Sequence, residues 1–67
     1  MIYRILIDGR AEREQREMIY QPELKPYHDK YHFIGTDHGQ GFYNYVFLSE
    51  KEYRKHQRNP FNRRLKP

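Results

Sequence analysis

Arg54, Lys55, Arg58, Arg63, Arg64 and Lys66 crowd the last fifteen residues of the chain, Tyr53 to Pro67, where no acidic side chain stands beside them. Residues 1–48 carry a net charge of −1 and residues 49–67 one of +5, so the positive charge sits at one end. A like-charged cluster repels itself and gains nothing from folding alone, which points to a polyanion or an acidic protein surface as its counterpart. Guanidinium and ammonium groups neutralise phosphates, and Phe61, between the two halves of the cluster, offers a ring for base stacking. On a helix reaching Arg58, Arg54 and Arg58 stand one turn apart with Lys55 beside them, a row spaced to follow a phosphate backbone.

Other chemistry has thinner support. Four histidines, His28, His32, His38 and His56, raise the question of a metal, and His28 to His32 has the i,i+4 spacing of two ligands on one helical face. Pro26 and the strand-like pattern from Tyr31 argue against a helix there, and in a strand the two imidazoles would lie about 13 Å apart. No metal or cofactor is expected. A catalytic nucleophile would have to come from one Ser, one Thr and no Cys. Asp37-His38 in a glycine-rich loop is the one pair that resembles a general base, and such loops favour Asp and His for their tolerance of unusual backbone angles. The glycines of 35–41 match neither dinucleotide nor phosphate-loop spacing. The chain therefore reads as non-enzymatic.

A second binding candidate is aromatic. In Phe42-Tyr43-Asn44-Tyr45-Val46-Phe47-Leu48 the alternation places Phe42, Val46 and Leu48 on one face and Tyr43, Tyr45 and Phe47 on the other. If the second set faces outward, Tyr43 and Tyr45 form a patch suited to a protein partner or to single-stranded RNA. The competing arrangement buries both faces, one under each helix.

The elements that must position these residues come from a chain of 67 residues, near the lower limit for one domain with its own core. Tyr and Phe total eleven, so rings supply most of the core volume. The absence of cysteine removes disulfides and thiolate zinc and suggests a reducing, cytoplasmic setting. No run approaches the roughly 18 apolar residues of a membrane span, and the N-terminus lacks a secretory layout.

Ile2 to Ile7 is rich in β-branched residues and stops at the turn signal Asp8-Gly9, which predicts a strand over 2–8. Arg10 to Glu17 consists of strong helix formers, with Glu12 and Arg16 spaced for an i,i+4 pair, and predicts a polar helix over about 10–20; a loop leading to a short strand at Met18-Ile19-Tyr20 competes. Pro22 and Pro26 predict an extended connector through Gln21 to Tyr27. Two aromatic runs around the glycine loop predict a hairpin, 30–35 and 41–48, whose second strand is paired on both sides. Ser49-Glu50-Lys51-Glu52 is a capping box that starts a helix over 49–58, ended by Asn59-Pro60.

The expected architecture is α+β: a three-stranded antiparallel or mixed sheet with one polar and one basic helix. Residues 1–58 form a single domain, and 59–67 form a basic, flexible tail. The leading functional expectation is a small binding protein that engages nucleic acid or a ribonucleoprotein through Arg54, Lys55, Arg58, Arg63, Arg64 and Lys66. The alternative is a regulatory or inhibitory protein that docks on an acidic or grooved protein surface through Tyr43, Tyr45 and a basic rim. A compact, Tyr-rich, cysteine-free chain of this length is a format common among phage accessory proteins acting on host machinery in the host cytoplasm.

Overall fold

A computed structural model describes residues 1–58 as an α+β arrangement. The strands are β1 (Ile2–Ile7), β2 (Arg10–Gln15), β3 (His32–Gly39) and β4 (Phe42–Leu48), and the helices are α1 (Lys25–Lys30) and α2 (Glu50–Arg58). They form one four-stranded sheet in the order β2-β1-β4-β3. β1 runs antiparallel to β2 and parallel to β4, and β3 is antiparallel to β4.

The expected three-stranded sheet thus has a fourth member, and it is the segment expected to be helical. Residues 10–15 form strand β2, because Asp8 and Gly9 both hold positive φ, 53° and 85°, in a two-residue turn that folds the chain straight back on β1. A type I′ turn needs positive φ at both positions, and Asp-Gly is among its preferred sequences. Hydrogen bonding to the free edge of β1 outweighs the helix propensity of these residues. Where an apolar stripe is missing, polar contacts fix the underside of β2: Arg13 reaches Glu23 at 2.7 Å and donates to Gln15 Oε1, and Gln15 Nε2 donates to the carbonyls of Glu17 and Met18. Met18–Tyr20 is not a strand, although Ile19 is buried.

The connector also differs from its expected extended form. Gln21–Leu24 is a 3₁₀ turn and runs directly into α1, each with a proline in its first two positions. Pro22 and Pro26 stand where a helix has no use for the missing N–H, so they start helices here instead of preventing them. The hairpin is present with a tighter connection. β3 continues to Gly39, so only Gln40 and Gly41 join the strands, and a bulge at Ile34 precedes Gly35, whose φ is 136°.

One face of the sheet is the core. Ile5 and Ile7 from β1 and Tyr45 and Phe47 from β4 are buried under Ile19 and Leu24, with Tyr3, Tyr27, Tyr31 and Tyr43 packed around them. Tyr27 and His28 of α1 press their rings on Phe47 at 5.8 and 5.2 Å. Alanine at Gly9 should cost about 1–2 kcal/mol, the penalty of a Cβ in left-handed backbone, measured by urea unfolding. A gain in stability, as Gly→Ala gives inside a helix, would contradict the hairpin.

Candidate functional site

The alternation within β4 holds, and the face expected to present Tyr43 and Tyr45 is the covered one. Tyr45 is 4% exposed and Phe47 is fully buried. Burial, and after it the nearby phenols of Tyr43 and Tyr3, push the Tyr45 phenol above its usual range. Its hydroxyl has no hydrogen-bond partner among the described residues. Tyr43 is half-buried between Tyr3, at 5.5 Å, and His38, which meets it edge-on at 4.5 Å. Tyr45 is therefore a core residue, and Tyr43 lies at the margin of the core.

The opposite face carries Ile2, Arg4 and Leu6 from β1, aligned with Phe42, Asn44 and Val46 of β4, and continues to Leu48. Apart from Asn44, all of these are partly exposed. They belong to no buried cluster. Their neighbours in the outer strands are small at several places, with Ala11 beside Leu6, Gly35 beside Val46 and Gly39 beside Phe42, so the central strip has low flanks. Gly39 leaves the space that Phe42 uses, since a Cβ there would come within 3.4 Å of the Phe42 ring.

Arg4 sits in the middle of this strip. Its Nε donates to Asn44 Oδ1 at 3.0 Å, and its guanidinium lies 4.0 Å from the centre of the Phe42 ring. Asn44 is 5% exposed, and the Arg4 hydrogen bond satisfies its buried carbonyl. The aromatic face below the cation adds a second hold. The contact of Arg4 with Asn44 depends on a parallel register between strands forty residues apart, for which the sequence carries no local signal.

Helix α2 meets this face at its Leu48 end. Tyr53 stacks flat on His32, 3.9 Å between ring centres and 5° between planes, and His32 is the register partner of Leu48. The capping box forms in part. Glu52 N–H donates to Ser49 Oγ at 3.4 Å, whereas Ser49 N–H goes to Asp8 Oδ1 at 2.9 Å, so the turn of the first hairpin supplies the acceptor expected from Glu52. His32 Nε2 lies 2.6 Å from Glu50 Oε1, and Arg54 Nε donates to the other Glu50 oxygen at 2.9 Å. These two hydrogen bonds, with His32 first, hold the Glu50 carboxyl below its ordinary range.

Of the expected basic row, Arg54 is thus paired with Glu50, and Lys55 lies 3.7 Å from Glu52. Exposed pairs of this kind are worth about 0–1 kcal/mol, so a stronger anion can take either base. The side chain of Arg58, and Arg63, Arg64 and Lys66, lie outside the described residues. Asp37 and His38 do not act as a pair: Asp37 aligns with Asn44 on the Arg4 face, and His38 aligns with Tyr43 on the other. His28 packs on Phe33 and Phe47 while His32 packs on Tyr53. Among the described residues no group of three or more His, Cys, Asp or Glu is placed to hold a metal, and no helix is long and apolar enough to cross a membrane.

Comparison with family models, curated proteins and solved structures gave no match. The geometry is therefore the ground for a functional reading.

Glu50 also gives a pH dependence. With its folded pKa below the unfolded one, its contacts stabilise the protein at neutral pH, and that contribution is lost as pH falls through the lowered folded value. The stability difference between wild type and Glu50→Gln should be present near neutral pH and shrink below about pH 5, read from urea midpoints across the range. A difference that stays constant down to about pH 3 would show that Glu50 gains nothing from its charge.

Proposed function

We propose that this chain is a non-enzymatic binding protein that docks on another protein through the sheet face of Ile2, Arg4, Leu6, Phe42 and Val46, with α2 as a charged rim. One observation carries the reading: the two central strands present a strip of apolar side chains, partly exposed and set around one arginine, outside the core cluster. Contiguous apolar surface with a central Arg and an aromatic is the composition of a protein-binding hot spot. This is the regulatory or inhibitory reading with the sheet turned over, since the aromatic side expected to be the interface is the core.

Nucleic acid is the second reading, favoured by the net charge of +5 over residues 49–67. Against it stands the near-balance of residues 1–58, with ten bases and nine acids. The two readings separate in a pull-down from bacterial lysate with and without nuclease, paired with gel shifts on random DNA and RNA at two salt concentrations. The expected outcome is a protein partner that survives nuclease, is lost with Leu6→Glu, and is retained when Arg54, Lys55 and Arg58 are all changed to Glu. Loss of every partner on nuclease treatment, with a salt-dependent gel shift abolished by the triple change, would favour nucleic acid. Circular dichroism of each variant confirms that the fold is intact.

A further inference from the structure

We infer that Arg4 is a carboxylate-binding site at the centre of the docking face, and that the partner presents an acidic side chain flanked by apolar residues. The inference rests on the protein-docking reading and names the chemistry of its partner.

Arg4 is held at two points. Its Nε–H is committed to Asn44 and its guanidinium carbon lies over the Phe42 ring, so the side chain is held before any partner arrives. A fixed fork loses little further freedom on binding, which suits arginine to bidentate recognition of a carboxylate. Among the described residues its two terminal nitrogens make no hydrogen bond and no ion pair. Glu14, aligned with Arg4 on β2, is exposed and does not reach it. Arg4 as a residue is half-buried, with Ile2 and Leu6 beside it on β1 and Phe42 and Val46 on β4. In that setting its hydrogen bonds to an anion are stronger than in open water.

The surroundings choose among anions. Beside Leu6, Val46 and Phe42 the register partners on the outer strands are Ala11, Gly35 and Gly39, and those beside Arg4 and Asn44 are the acidic Glu14 and Asp37. His32, beside Leu48 at the far end, is already held by Glu50 and Tyr53. A polyphosphate backbone would meet these two carboxylates on either side of Arg4. A single carboxylate between apolar side chains satisfies the fork and covers Leu6, Phe42 and Val46, with no further cation needed.

The test uses the intact chain labelled with ¹⁵N and with ¹³C methyls, titrated with 3-phenylpropionate as a carboxylate on an apolar stem. Neutral 3-phenylpropanol and inorganic phosphate serve as the two controls. The expected result is a saturable shift of the Arg4 Nε–H resonance together with the Leu6 and Val46 methyls, tighter for phenylpropionate than for either control. Arg4→Gln should weaken the carboxylate at least tenfold and leave the alcohol unaffected, and Arg4→Lys should recover part of the loss. Equal binding of acid and alcohol on these methyls would overturn the carboxylate site and leave the docking face standing. Stronger binding of phosphate would overturn it in favour of nucleic acid. Shifts of the same resonances on dilution alone would assign the face to a second copy of the chain, and no response to any probe would sink both the site and the face.

Discussion

The parallel pairing of β1 with β4 is the contact on which everything else in this small protein depends. It joins the N-terminal strand to one forty residues later, and it decides which side chains share a face: Tyr3, Ile5 and Ile7 with Tyr43, Tyr45 and Phe47, and Ile2, Arg4 and Leu6 with Phe42, Asn44 and Val46. A shift of one residue would exchange the two sets, send Arg4 into the core and expose Ile5. Both hairpins are local, and this pairing is what joins them into one sheet. The cap of Ile19, Leu24 and α1 lies across the joined strands and depends on the same event. Ser49 N–H on Asp8 then ties the start of α2 to the first turn, so the second helix reports on the same junction.

The edges of the sheet bear on how it can meet a partner. β2 is built of alternating charges, and β3 is interrupted by the bulge at Ile34, two devices that discourage strand addition. On the docking reading proposed above, a partner meets the flat of the sheet. That surface is neither fully apolar nor basic. Its central cation, Arg4, is braced by a buried amide and a ring, an arrangement that confers direction as well as attraction.

Much of this was legible in the sequence, and the failures have definite causes. β1, the β3–β4 hairpin, the central position of β4 and the start of α2 followed from β-branched and aromatic runs, turn glycines and the Ser49 cap, all of them local signals. Residues 10–15 have the composition of a helix, but the Asp8-Gly9 turn returns them to the edge of β1, and the turn outweighs the propensity. Pro22 and Pro26 break a helix in its interior, but at the first turn, where they stand, they start one. The alternation of β4 was read correctly, but alternation does not say which face is covered, and Tyr is at home on either. Ile19 and Leu24, which choose the covered face, lie in irregular or 3₁₀ backbone where no period marks them. The pairing of Arg4 with Asn44 is a long-range register, and no local signal in the sequence carries it.

The central claim is that the two faces of the sheet differ in access: one is core and the other is open to a partner. Relaxation of side-chain methyls by a soluble nitroxide measures this directly in the intact chain, with no partner needed. Strong relaxation at Ile2, Leu6 and Val46, beside weak relaxation at Ile5, Ile19 and Leu24, is the expected pattern. Equal protection of Leu6, Val46 and Ile5 would contradict it, because the Arg4 face would then already be covered and could not serve as a docking surface.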